Sequence, residues 1–146
     1  SNNTNLRVGS STNYPIVLNY NTINFPVEII SEYDDWRKIN DIDGNQGWLH
    51  KNLIKGERFV IIKNKNSFSS KIFSKPDGNE IGEIGSRNIA RIDYCLIDWC
   101  KIRLNKYSGW IEKRDLWGVY DEEEINIPIY QLLFDIIWNI NLKFKD

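Results

Sequence analysis

The chain is poor in the residues that most chemistry needs. Among its 146 residues there is one histidine (His50), two cysteines (Cys95 and Cys100) and no methionine. A single histidine excludes a His-rich metal site and leaves no pair of imidazoles for catalysis. Neither charge is in excess: 19 Lys and Arg stand against 20 Asp and Glu, for a net charge of −1. A general nucleic-acid binder carries a basic excess to neutralise phosphates, so that class is disfavoured. No apolar run approaches the ~20 residues of a membrane-spanning helix. The length is short for a barrel or doubly wound enzyme core. It suffices for one ordinary domain or two very small ones. The absence of Met at position 1 reads as processing, and fits removal of a signal peptide.

Tryptophan is plentiful by contrast. There are six, with seven Tyr and six Phe. So much aromatic surface in a short chain goes into small cores or onto a binding face. The chain also repeats itself. The segment from Asp35 reads DWRKINDIDGNQGWLHKNL, and that from Asp98 reads DWCKIRLNKYSGWIEKRDL. Asp35-Trp36 matches Asp98-Trp99, Lys38-Ile39 matches Lys101-Ile102, and Gly47-Trp48-Leu49 matches Gly109-Trp110-Ile111. Leu53 is aligned with Leu116. The offset holds at 62 or 63, which is a tandem duplication with units near the lower size limit for an independent core.

Both units have a β pattern. Val27–Ile30, Trp36–Asp41, Gly47–His50 and Phe59–Ile62 are strand candidates in the first, with a turn at Asp43-Gly44-Asn45. Ile89–Ile92, Trp99–Leu104 and Gly109–Glu112 follow in the second, with a turn near Asn105-Lys106. The polar stretch Lys63–Lys71 is the expected boundary. Strand side chains alternate between faces. With Ile39 and Leu49 as core residues, Trp36 and Trp48 face outward, and the same parity separates Trp99 from Ile102 and Trp110 from Ile111.

A strand with Asp-Trp-x-Lys-Ile, a tight turn and then Gly-Trp-hydrophobic resembles the Src-homology-3 barrel in its bacterial form. Leu6-Arg7 with Gly9-Ser10-Ser11-Thr12-Asn13-Tyr14-Pro15 looks like its opening strand and loop. Ile72-Phe73-Ser74-Lys75-Pro76 holds that place in the second copy. The tandem arrangement, closing in Asp115-Leu116-Trp117-Gly118-Val119-Tyr120, is similar to exported proteins of alphaproteobacteria. The resemblance implies an all-β fold of two tandem five-stranded Src-homology-3-like barrels, residues 1–64 and 65–121, plus a C-terminal appendage, 122–146. It implies a binding module without enzymatic activity or cofactor, taking peptide or peptidoglycan in the cell envelope. The residues it points to are Tyr14, Trp36, Trp48 and Asn52 in the first copy, with Trp99 and Trp110 as second-copy candidates. The alternative is an assembly protein whose aromatic faces and tail make protein–protein contacts.

The remaining constellations are weaker. Asp34 and Asp35, with Glu32, lie beside Trp36 and offer charge to a basic ligand group. In a turn they are too solvated to suggest acid–base catalysis. Asp41, Asp43 and Asn45 share donors with a calcium loop but lack its later Glu and flanking helices. Cys95 and Cys100, with four residues between them, read as a structural disulfide across a turn, with two free thiols as the alternative. Half a zinc shell, without the C-x-x-C spacing, suits neither metal nor redox chemistry. A disulfide fits an oxidising compartment, the periplasm. In the tail, Ile129, Leu132, Leu133, Ile136, Ile137 and Ile140 recur at helical spacing, while Trp138–Lys145 alternates like a strand. That apolar surface packs on the barrels or on a partner.

Overall fold

A computed structural model describes residues 3–126. The expected tail helix and strand lie outside the described residues. Over that range the chain is all-β, in two sheets. The first contains Thr4–Arg7 (β1), Ile16–Tyr20 (β2), Glu28–Tyr33 (β3), Trp36–Asn40 (β4) and Gln46–His50 (β5), followed by a 3₁₀ turn at Lys51–Leu53. Its order is β2-β1-β5-β4-β3. The second contains Phe59–Ile62 (β6), Ser69–Phe73 (β7), Glu80–Gly85 (β8), Ile89–Cys95 (β9), Trp99–Leu104 (β10) and Tyr107–Glu112 (β11). A 3₁₀ turn at Lys113–Asp115 leads to Leu116–Trp117 (β12). Its order is β12-β6-β9-β10-β11-β7-β8.

The duplication is visible bond by bond. The Lys51 N–H donates to the Asp35 carbonyl at 2.8 Å, and the Lys113 N–H donates to the Asp98 carbonyl at 2.9 Å. Arg7 lies opposite Trp48 as Phe73 lies opposite Trp110, so β1 and β7 are counterparts. The hairpins differ slightly. Asp41–Asn45 forms a five-residue loop with Gly44 at φ 84°, whereas Asn105-Lys106 is a two-residue turn with Asn105 at φ 55°. Between the paired Ile39 and Gly47 lie seven residues, against six between Ile102 and Gly109, which accounts for the drop in offset from 63 to 62.

Two expectations are corrected. Ile54, not Leu53, is the counterpart of Leu116: each caps a three-residue 3₁₀ turn with its N–H on the first carbonyl of that turn. Leu53 is correspondingly exposed. Phe59–Ile62 reads as the last strand of the first unit, yet its hydrogen bonds run to β9 and β12. The second sheet therefore has seven strands and the first has five.

The cores are unequal. Leu6, Ile39 and Leu49 form the buried cluster of the first sheet. The buried cluster of the second has ten residues, with Val60, Ile62, Ala90, Ile92, Ile102, Ile111 and Leu116 among them. Side-chain contacts connect the halves. Arg87 pairs with Asp43 at 3.1 Å, and the Tyr120 hydroxyl donates to Glu28 at 2.7 Å. Arg58, at the junction, donates to both oxygens of Glu123 and to the Gly118 carbonyl. That guanidinium holds the Glu123 carboxyl below its ordinary range.

Cys95 and Cys100 form a disulfide between opposed residues of β9 and β10, both fully buried. Closing so short a loop contributes about 2 kcal/mol by the chain-entropy argument. We expect Cys95→Ala/Cys100→Ala to lower stability by about that amount in denaturant titration; an unchanged midpoint would show the bond to be energetically silent.

Candidate functional site

The outer face of the first sheet is built by strand parity. Ile39 and Leu49 point inward and are buried, so Trp36, Lys38, Trp48 and His50 point outward. Cross-strand register arranges them in two rows. One runs Tyr33–Trp36–His50 across β3, β4 and β5, and the other runs Ser31–Lys38–Trp48–Arg7 across β3, β4, β5 and β1. Both indoles are half-buried.

Each row has its own support. The His50 ring meets Trp36 edge-on at 5.5 Å between centroids. Its Nδ1 accepts the Asn52 N–H at 3.2 Å, which fixes the ring and starts the 3₁₀ turn. Arg7 donates to the carbonyls of Thr12 (3.1 Å) and Tyr14 (2.9 Å), holding the loop beside Trp48. The Tyr14 ring lies over Gly9, where a Cβ would stand 2.6 Å from ring atoms. Glycine there lets the ring pack flat on the backbone.

Of the three acidic residues beside Trp36, two are ion-paired within the chain. Asp34 and Asp35 form the β3–β4 hairpin turn, with Asp34 at φ 52°. Asp35 is paired with Lys51 at 2.9 Å. That ammonium, by hydrogen bond and charge, holds the Asp35 carboxyl below its ordinary range. Glu32 is paired with Arg37 at 3.3 Å. Nearest Trp48 are cations, Lys38 and Arg7, and Lys38 has no ion-pair partner among the described residues.

The second copy presents the row Tyr94–Lys101–Trp110–Phe73. Trp110 meets Tyr94 edge-on at 5.9 Å, and Trp99 meets Phe73 edge-on at 5.3 Å. Sequence reasoning named the two indoles and missed Phe73, Tyr94 and, in the first copy, His50. The signal available was parity: each stands directly across from, or two residues along from, a residue already singled out.

An open cleft of about 670 Å³ lies elsewhere, lined on one side by Val27, Ile29 and Ile54 and on the other by Phe59, Leu116 and Val119. Neither Trp36 nor Trp48 lines it. Among the described residues no group of three or more His, Cys, Asp or Glu side chains is placed to hold a metal ion. Among them, too, no helix is long and apolar enough to cross a membrane. The Asp41 carboxylate, which the calcium-loop comparison singled out, is buried and turned onto its own loop, accepting from the N–H groups of Asp43 and Asn45.

A family model described as bacterial SH3 domain matches residues 1–56 and 83–118, well over half the chain and part of each copy. The chain belongs to the bacterial SH3 domain family. The match ends three residues before β6 and resumes in β8, so it brackets the segment that the first sheet does not contain. No curated protein matches the chain. Bacterial SH3 domains are in general binding modules, often related to the cell wall, rather than enzymes. A fold alone does not assign a ligand, so the ligand has to be argued from the face.

Proposed function

We propose that the chain is a non-enzymatic binding module of the cell envelope, exported to the periplasm, that holds an extended peptide or peptidoglycan through the outer face of its first domain. The observation that carries this reading is the placement of Trp36 and Trp48 on the water-facing side of β4 and β5, opposite the buried Ile39 and Leu49. Two adjacent indoles offer flat apolar surface for stacking. Tyr14, held by Arg7, closes one end, and the Asn52 side chain on the 3₁₀ turn supplies polar contacts at the other. Lys38 takes a carboxylate of the ligand, while Asp34 at the hairpin tip takes an amine. Trp99 and Trp110 are a second, weaker surface, because the second copy has no counterpart of Tyr14 in its opening loop. The buried disulfide suits an oxidising compartment.

The test is sedimentation of the protein with purified peptidoglycan, together with titration of stem peptides. Trp36→Ala and Trp48→Ala should each weaken binding about three- to tenfold, the range of an aromatic contact. Their circular dichroism should match the parent. Parent protein that binds neither material would refute the reading.

A further inference from the structure

The two halves differ at one edge. In the second sheet, β9 lies between β10 and β6. Strand β6 pairs with the outer edge of β9, and the residue before it takes the Ile92 N–H, which donates to the Arg58 carbonyl at 2.9 Å. Its Val60 and Ile62 complete the core. In the first sheet the counterpart of β9 is β3, and its one strand neighbour is β4. Among the described residues no strand pairs with its other edge.

The consequence is measurable at equivalent positions. Ile29 stands opposite Ile39 as Ile92 stands opposite Ile102. Ile92 is 6% exposed and Ile29 is 44% exposed. Leu116 is 2% exposed, while its counterpart Ile54 is only partly buried. Val27, Ile29 and Ile54 line the 670 Å³ cleft, a volume within the range of about 300–1,000 Å³ usual for ligand sites. An unpaired edge flanked by an uncovered apolar core is a template for strand addition.

We propose that the β3 edge is an acceptor for an extended polypeptide strand supplied by a partner, with the continuous apolar character of β6 and a basic residue at its leading end. The apolar character follows from what covers β9, Phe59-Val60-Ile61-Ile62. The charge follows from an exchange between the copies. Arg91 on β9 reaches Glu57, which precedes β6, at 3.9 Å. The counterpart of Arg91 is Glu28, whose carboxylate lies at the cleft. Strand β3 itself carries two glutamates and no base. An incoming strand therefore needs Lys or Arg where β6 is preceded by Glu57. Ile29 is on the opposite face of the sheet from Trp36 and Trp48, and neither indole lines this cleft, so the proposal stands apart from the peptide or peptidoglycan reading.

The probe is the octapeptide of residues 57–64, ERFVIIKN, and the same peptide carrying Glu57→Lys. Amide hydrogen exchange is read at Val27–Tyr33 in the full chain. We expect fast exchange at Ile29 without peptide and slowing of at least about tenfold when the edge is saturated. The Glu57→Lys peptide should bind about two- to fivefold tighter than the parent peptide, the range of one cross-strand charge pair. In a Glu28→Lys chain that preference should reverse. Unchanged protection of β9 and β10 confirms that this variant is folded. Three results would overturn the proposal. Protection of Ile29 in the peptide-free monomer would mean that residues 127–146 already cover the edge. Protection that disappears on dilution from dimer to monomer would mean that a second copy does. No slowing with either peptide would mean that the edge accepts no strand.

Discussion

Replacing Gly47 with alanine is expected to unfold the first domain at temperatures where the second remains folded. Gly47 is buried on β5, one position before Trp48. A Cβ there would stand 2.6 Å from Leu6 Cγ and 2.7 Å from the Arg7 carbonyl oxygen. Real Cβ contacts are essentially never so short, and the Arg7 oxygen belongs to the backbone of β1. The strand itself must move. Overpacking of a closed core typically costs about 1–3 kcal/mol, and more where backbone is displaced. Leu6 is one of three residues in the buried hydrophobic cluster of the first sheet, so the loss falls on a core with little to spare. Gly109, the repeat counterpart, meets the Ile72 side chain rather than a carbonyl at closest range. Ile72 is only half-buried, and a side chain yields more readily than a strand backbone. Gly109→Ala should therefore cost less, and Ile72→Ala should partly rescue it. Thermal unfolding of both single variants and of the Gly109/Ile72 double variant checks this. Equal midpoints for Gly47→Ala and the parent would show that β1 is not held where it is described.

The second large effect is expected at Asp41, which is 2% exposed. Its Oδ1 accepts from the N–H groups of Asp43 and Asn45, both at 2.9 Å. Its Oδ2 accepts from the Tyr20 hydroxyl at 2.8 Å and from Asn45 Nδ2 at 3.1 Å. One carboxylate thus organises the β4–β5 loop and ties it to β2. Hydrogen bonds to a charged group are worth about 1.5–3 kcal/mol each, without strict additivity, and removal strands the Tyr20 hydroxyl. Asp41→Ala should cost about 3 kcal/mol or more, which lowers the thermal midpoint of so small a domain by roughly 10–20 °C. Burial pushes the Asp41 carboxyl up, but the hydrogen bonds from Tyr20, Asn45 and Asp43 outweigh it and hold the group below its ordinary range. The same contacts, with burial foremost, push the Tyr20 hydroxyl up. A depressed carboxylate stabilises the fold above its unfolded pKa of about 4, and that contribution is lost as pH falls through the lower folded value. The parent should lose stability across this acid window, and Asp41→Ala should lose less. Parallel acid titrations of the two would contradict the assignment.

Much of the architecture was legible in the residues. The repeat of Asp-Trp-x-Lys-Ile and Gly-Trp identifies matching hairpins, because those positions carry a local pattern: inward aliphatics, outward indoles and a glycine where two strands close. Parity alone orients Trp36 and Trp48, since a regular strand offers each side chain only two faces. The pairing of Cys95 with Cys100 was accessible for the same reason, as both lie within one hairpin. The family match adds independent support for the fold.

The register of long-range pairing was not legible. Phe59–Ile62 is an apolar strand on any reading, and nothing in four such residues states which sheet will take them. That choice depends on where β9 and β12 present unpaired backbone and an incomplete core, which exists only after the chain has folded. Charge behaved likewise. Asp35 beside Trp36 suggested a free acid, but Lys51 is brought to it across a 3₁₀ turn, and Lys38 rather than an acid sits beside Trp48. Local alternation settles which face a side chain occupies, because it is a property of consecutive residues. Neighbours across strands, and the open edge of β3, are decided by the assembled sheets, because hydrogen-bond partners and burial are supplied by chain far away in sequence.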